Sequence, residues 1–362
     1  MDAIFDYMEK YDYENLFLCQ DKALDFKAVI AIHDTTLGPA TGGCRMWNQY
    51  AGEMEAVEDA LRLARGMTYK YAAAGVNLGG GKAVIIGDPR RKDREPVFRV
   101  LGKFINRLGG RYITGEDVGT TLTDMAYIRM ETEYVVTLPT YLGGAGDIAP
   151  MTALGTLRAM QACCNRVYGS DSLQDKRVAV QGLGAVGHNI VDQLQAEGAQ
   201  MVVTDIDPAK VAAVVSRYGA EPVEPEAIYD VACDIFCPCA LGKVINGETL
   251  NRLKCKIICG SANNQLAEER HGELLEQKEM VYAPDYITNA GGTIYDTDRL
   301  GVGGVSHERG RTKVFRIYEN MVRVFEIADR DQIPTYLAAD RMAEERIRQI
   351  AEVKKYVDDL KP

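Results

Sequence analysis

Two lysines stand twelve residues apart in a stretch dense with small residues, Gly66-Met67-Thr68-Tyr69-Lys70 and then Gly79-Gly80-Gly81-Lys82. A lysine ammonium holds a carboxylate or phosphate as a compact point charge, and a lysine that gives up its proton becomes a base. Two acids, Glu116 and Asp117, lie between glycines in Gly115-Glu116-Asp117-Val118-Gly119-Thr120. Two lysines so placed suit an anionic ligand, and two acids at the end of a strand between glycines are a candidate site by placement alone.

The elements that must position these groups are readable from periodicity. From Glu55 the chain reads as a helix, with Ala56, Ala60, Leu63, Met67 and Tyr71 at helical spacing. Lys70 follows Met67 by three and Leu63 by seven, which puts it on the apolar face, and Gly75 is a helix stop. Lys82 opens a buried strand, Ala83–Ile86, behind a glycine loop. Two lysines so placed are costly unless an anion sits there or one is neutral, or unless both snorkel to water. Arg111–Thr114 is a short strand ending at Glu116 and Asp117. The alternative for that turn is a cap feeding a helix from Thr123 and Asp124 to Met130. Upstream, residues 1–27 read as an amphipathic helix and a connection, Ala28–His33 as a strand, and Leu37–Met46 as a glycine-rich turn into another strand. From Glu308 the chain is helical, with one break at Ile333-Pro334.

A second motif is a strand, Lys176–Gln181, running into Gly182-Leu183-Gly184-Ala185-Val186-Gly187 and then a helical pattern. The next strand, Met201–Thr204, ends in Asp205, eighteen residues after Gly187. Strand, Gly-x-Gly-x-x-Gly, helix and an acid at that distance form a dinucleotide fingerprint. The glycines let a helix N-terminus approach a pyrophosphate. Asp205 accepts from a ribose 2′-hydroxyl and repels a 2′-phosphate, so the cofactor expected is NAD rather than NADP. Further strands end in Cys239-Ala240, in Gly260–Asn264 and in Asn289–Gly292. Asn263 and Asn289 are therefore candidates to hold a nicotinamide or a substrate, or are simply turn formers.

The 362 residues carry 26% charged and 46% hydrophobic side chains, an ordinary globular composition sized for two domains. A net charge of −10 argues against nucleic-acid or anionic-membrane partners. No stretch is long and apolar enough to span a membrane, and the acidic start Met1–Asp6 is unlike a signal peptide, so a cytoplasmic protein is expected. The nine cysteines and four histidines form no metal-ligand pattern, so no metal is expected and the thiols read as small hydrophobes.

Lys70 in Gly-Met-Thr-Tyr-Lys, Gly-Gly-Gly-Lys82, Glu116–Thr120, Gly182–Gly187 and Asn289-Ala290-Gly291-Gly292 together resemble the glutamate/leucine/phenylalanine/valine dehydrogenase family, over nearly the whole chain. Ile4–Tyr11 and Ile333–Asp340 resemble the leucine enzymes. Gly143–Asp147 and Gly260–Gln265 look more like the phenylalanine enzymes. The resemblance implies NAD-linked reversible oxidative deamination of an L-amino acid to a 2-oxo acid and ammonia. It implies that Lys70, with Asn263 and Gly43, binds the substrate, that Lys82 polarises the carbonyl and activates water, and that Asp117 shuttles protons. A cation near Lys82 makes it easier to deprotonate for that role. Cys239 and Ala240, with Asn263 and Asn289, join the glycines and Asp205 on the cofactor side. A homo-oligomer is implied.

The fold implied is α/β with two domains and the active site in a cleft between them. Residues 1–136 form a mixed-sheet substrate domain, to which helices from about 331 to 362 return. Residues 137–330 form a doubly wound Rossmann-type NAD domain. The side-chain pocket departs from the family pattern. Leucine enzymes carry a leucine where this chain has Thr41, valines at Thr293 and Asp296, and alanine at Gly115. Thr41 lacks the lysine of glutamate enzymes, and Asp296 would repel a side-chain carboxylate. Two outcomes stay open: Asp296 turns to solvent and the substrate is aliphatic or aromatic, or it meets a polar or cationic side chain. A catalytically inert NAD-binding sensor is the further alternative.

Overall fold

In the computed structural model, which describes residues 3–358, the three glycines before Lys82 are strand rather than loop. They open β5, and none of them has a left-handed backbone. Their missing side chains serve close packing instead. A Cβ on Gly80 would overlap the Thr68 hydroxyl of the neighbouring helix, and one on Gly81 would lie 2.7 Å from the Tyr112 ring.

The chain forms two compact units. The first takes in the chain to Asp147, the segment Asp296–Ser306 and the chain from Ala343. Its strands are β1 (Asn15–Asp21), β2 (Phe26–Asp34), β3 (Ala40–Thr41), β4 (Cys44–Trp47), β5 (Gly79–Ile86) and β6 (Tyr112–Ile113). Its helices are α1 (Ile4–Lys10), α2 (Glu53–Ala73), α3 (Arg94–Arg107), α4 (Leu122–Arg129) and the end of the helix Thr335–Asp358. The sheet is mixed. β1, β2 and β5 are antiparallel neighbours, while β3 and then β4 run parallel along the far edge of β5, and β6 pairs with β3.

Both faces of this sheet are covered, which is why β2 and β5 read as unbroken apolar runs. Val29, Ala31 and Val84 face α2 through Ala56, Val57, Ala60, Leu61 and Ala64. Ile30, Ile32 and Ile85 face α3 and α4 through Phe98, Leu101, Ile105, Met125 and Ile128. Each fully buried isoleucine contributes about 1.5–3 kcal/mol. β1 falls where a mere connection is expected from the sequence. It is an edge strand whose Leu16-Phe17-Leu18 run lacks alternation, and Leu18 is exposed.

The second unit, Ile148–Tyr295 and His307–Met342, contains a parallel sheet. Its strands are β7 (Arg177–Gln181), β8 (Gln200–Thr204), β9 (Glu221–Pro222), β10 (Ile235–Pro238), β11 (Ile257–Ile258) and β12 (Val281–Tyr282), in the order β12-β11-β10-β7-β8-β9. The first three strands build outward from β7 and the last three build the other way. That is the doubly wound order, with its switch point between β7 and β10. The helices used below are α5 (Ala149–Tyr168), α6 (Ala185–Ala196) and α7 (Pro208–Tyr218).

The unit boundaries differ in detail from 136 and 331. The first unit runs on to Asp147, and its returning segment starts at Ala343. Residues 135–137 remain tied to it: Thr114 bridges Val135, Thr137 bonds Asp296, and Arg299 donates to the Val135 carbonyl at 2.6 Å. The C-terminal run breaks at Arg316 as well as near Pro334, giving helices His307–Phe315, Ile317–Asp331 and Thr335–Asp358.

Candidate active site

β4 is the element that brings the acid to the lysine. One of its edges pairs with β5, in a register that sets Arg45 against Val84. Its other edge is held by the stretch after β6: the Cys44 N–H donates to the Gly115 carbonyl at 2.8 Å and the Met46 N–H to the Val118 carbonyl at 2.9 Å. Asp117 is thereby placed across β4 from Lys82. The Lys82 Nζ lies 3.0 Å from Asp117 Oδ2, and the Arg45 Nε donates to the same oxygen at 3.0 Å. Among the described residues Oδ1 of Asp117 receives no hydrogen bond. Gly43 makes the approach feasible, because a Cβ there would lie 2.8 Å from the Asp117 Cβ.

Lys82 is 4% exposed, so its ammonium depends on a counter-ion. Burial pushes the Asp117 carboxyl up, but Lys82 and Arg45 outweigh burial and hold it below the ordinary carboxylate range. The group facing Lys82 is thus an anion, where the sequence suggests a neighbouring cation. Lys70 stands half-buried in the last turn of α2, the helix that packs across β5.

The capping alternative for Glu116–Thr120 belongs to residues further on. Thr121 caps α4 and forms a reciprocal capping box with Asp124, which also pairs with Arg94 at 2.6 Å. Asp117 is left out of the cap. Its own N–H donates to the Thr120 hydroxyl at 2.9 Å. Arg45 carries no signal in the sequence. It lies 72 positions from Asp117, and only the parallel pairing of β4 makes them neighbours.

Asp296 does not turn to solvent. It ends the helix Gly291–Asp296 at 3% exposure, with Oδ1 accepting the Thr137 N–H at 2.8 Å and Oδ2 the Thr137 hydroxyl at 2.6 Å. Burial pushes its carboxyl up to about 6, against the opposing pull of the Thr137 donors and Arg299. Gly115 belongs to the same cluster, since a Cβ there would lie 2.8 Å from the Thr137 hydroxyl. Thr41 is fully buried in β3 between Gly80 and Ile113, and its hydroxyl donates to the Pro39 carbonyl. Thr293 is half-buried one turn before Asp296.

In the second unit the cofactor candidates assemble at the switch point. Gly182 leaves β7 in a left-handed conformation (φ +99°), and a Cβ on it would lie 2.7 Å from that of Ala240, just past β10. A Cβ on Gly187 would overlap the Gly182 carbonyl oxygen, and it would lie in ordinary contact, 3.4 Å, with the Cβ of Cys239. Gly184 caps α6 and faces open space, with Ala185 and Val186 in the first helical turn. Asp205 accepts the Leu183 N–H at 2.6 Å and the Asp207 N–H at 2.9 Å. Burial raises its carboxyl, but these donors and Lys210 bring it below the ordinary range, so it is an anion. The Asn289 side-chain amide donates to Asn263 Oδ1 at 2.6 Å, and among the described residues its own buried Oδ1 has no hydrogen-bond partner. A glycine cradle at a helix N-terminus, an anionic carboxylate at the end of the next strand and an orphaned amide oxygen fit a nicotinamide dinucleotide.

Comparison with known proteins matches both units. Residues 18–134 match the model described as "Glu/Leu/Phe/Val dehydrogenase, dimerisation domain". Residues 143–209 and 203–296 match "Glutamate/Leucine/Phenylalanine/Valine dehydrogenase". A leucine dehydrogenase from Thermoactinomyces intermedius is 58% identical over 351 residues, which cover 97% of this chain and 95% of that enzyme. A phenylalanine dehydrogenase from Caldalkalibacillus thermarum is 44% identical over 356 residues, covering 97% and 95%. Among solved structures, the L-tryptophan dehydrogenase from Nostoc punctiforme superposes with a TM-score of 0.85 at 41% identity, covering 96% of this chain and all of that one.

Proposed function

Because the chain belongs to the glutamate/leucine/phenylalanine/valine dehydrogenase family, and is therefore an amino-acid dehydrogenase and an oxidoreductase, we propose that it catalyses the NAD-dependent, reversible oxidative deamination of an aliphatic or aromatic L-amino acid. The observation that carries this reading is the Lys82–Asp117 pair, 3.0 Å apart, on a sheet whose covering helix bears Lys70.

The chain's own groups divide the work. Lys70 holds the substrate carboxylate, with Gly43 and Asn263 on the substrate side. Asp117 presents its unbonded Oδ1 to the amino group and takes its proton. Lys82 polarises the carbonyl oxygen in one direction, and in the other activates the water that attacks the imine. Gly182–Gly187, Asp205, Cys239, Ala240 and Asn289 hold the dinucleotide, which when bound supplies the hydride acceptor. Fixing the α-carbon relative to that acceptor is the positioning part of the task.

NAD is favoured over NADP by the anionic Asp205, which accepts a 2′-hydroxyl and repels a 2′-phosphate. An uncharged substrate side chain is supported by Asp296, whose two oxygens already have donors within the chain. Thr41 and Gly115, both of the first unit, complete the proposed side-chain pocket. Self-association of the first unit is supported by the "dimerisation domain" wording of the model it matches. A cytoplasmic setting accords with nine free thiols, and among the described residues no helix is long and apolar enough to cross a membrane.

The test is a panel of L-amino acids with NAD at alkaline pH, followed by absorbance of the reduced cofactor. Turnover with leucine- or phenylalanine-like substrates is expected. Absence of turnover across aliphatic, aromatic and polar amino acids would sink the reading.

A further inference from the structure

We propose that Arg45 is a positioning residue for proton transfer: it fixes Asp117 against Lys82, is itself anchored by Asp59, and sets the pH range in which the pair works. This rests on the assignment of Lys82 and Asp117 made above.

The guanidinium uses two different nitrogens on two different acids. Its Nε donates to Asp117 Oδ2 at 3.0 Å, and its Nη1 to Asp59 Oδ2 at 2.8 Å. Asp59 is fixed in turn. Its Oδ2 also accepts the Tyr50 hydroxyl at 2.8 Å, and its Oδ1 accepts Arg62 at 2.9 Å. Asp59 sits on α2, the helix whose last turn carries Lys70, so one relay links that helix to β4 and on to the reacting carboxylate. The side chains of Arg45 and Asp59 are 21% and 13% exposed, which limits screening by water.

Two consequences follow. First, because Arg45 and Lys82 both occupy Oδ2, Oδ1 is the oxygen that exchanges a proton, and its direction is set by the rigid fork on the other side. A lysine at 45 has three rotatable donors on one nitrogen and lacks the planar fork, so it holds the two acids in no fixed direction. Second, when Asp117 takes up a proton during turnover, Arg45 keeps Asp59 as its counter-ion and stays in place.

The other titratable groups near Asp117 are Glu116 beside it in the chain, Asp124 of α4, Cys44 of β4 and Tyr112 of β6. Lys70 on α2 and Arg94, paired with Asp124, are the further cations of this region, but Lys82 and Arg45 are the two that hydrogen-bond the Asp117 carboxylate and lower its proton affinity most. Removing a neighbouring cation raises the proton affinity of the Asp117 carboxylate, and the acid limb of kcat/KM moves up with it.

The experiment is the pH profile of kcat/KM for oxidative deamination in four variants. Arg45→Gln raises the acid limb by about one to three units, the effect of an opposite charge at this range. Arg45→Lys keeps the charge, so its limb moves less than about half as far while kcat falls. Asp59→Asn leaves the whole charge of Arg45 to Asp117 and moves the limb the other way, below wild type. It also serves if Arg45→Gln does not fold. Asp117→Asn tests the underlying assignment: if it keeps most of its turnover, that assignment fails. If Asp117→Asn is inactive yet the limb is unmoved in Arg45→Gln, or unmoved or raised in Asp59→Asn, the role of Arg45 is overturned.

Discussion

Replacing Asp296 by Asn tests whether this carboxylate is a buried acid held by its own chain. Burial pushes its carboxyl from an ordinary 3.8 up to about 6. The sign is that of a raised acid. Between those two values the folded state binds a proton that the unfolded state does not. The contribution is therefore fully present below the unfolded value and is lost as pH rises through about 6. A rise of about two units corresponds to about 3 kcal/mol in all. Integrating the linkage, about 1.4 kcal/mol of it falls between pH 8 and pH 5, and about 1 kcal/mol more by pH 4. At 3% exposure solvent screening removes little of this. Asn keeps the shape and can accept the Thr137 N–H, but it does not titrate. Thermal melts of wild type and Asp296→Asn, at one protein concentration and several pH values, read the group together with the part of the Glu116 shift that Asp296 causes, which has the same sign; titrations that Asp296 does not touch cancel in the difference. The variant's advantage should shrink by several degrees from pH 8 to pH 5. A difference that is flat with pH, or that grows as pH falls, would show that Asp296 is not a buried, high-pKa acid.

Three further outcomes are expected. Lys82→Ala should abolish turnover while titration calorimetry still detects NAD binding, since the two functions lie on different units; substantial turnover would refute the role of Lys82. Asp205→Asn should narrow the NAD:NADP ratio of kcat/KM by about tenfold or more, because it removes a repulsion worth about 1.4 kcal/mol or more to the 2′-phosphate; an unchanged ratio would dissociate Asp205 from the ribose. Gly80→Ala should destabilise the first unit by about 1–3 kcal/mol through overlap with Thr68, seen in urea unfolding; wild-type stability would mean that α2 can retreat from β5 at no cost.

The sequence by itself determined the pieces that depend on local spacing. The strand, glycine turn and helix of Gly182–Gly187, with Asp205 after the next strand, are contiguous chemistry, and they stand at the switch point as their order requires. The lysine helix and the Lys82 strand were likewise legible, because burial on both faces of a sheet leaves an apolar run and an amphipathic helix leaves a 3–4 repeat. Tertiary structure decided what pairs across the chain. The glycines before Lys82 serve close packing, Gly80 against α2 and Gly81 against the Tyr112 ring, which periodicity does not encode. Arg45 reaches Asp117 because β4 is threaded in parallel between β5 and the chain after β6, a pairing with no local signature. Asp296, alarming as a lone acid in an apolar helix, is quieted by Thr137, 159 positions away, whose hydroxyl has room only because residue 115 is glycine. Spacing along a chain fixes which groups share an element. Which charges neutralise one another depends on elements meeting in space.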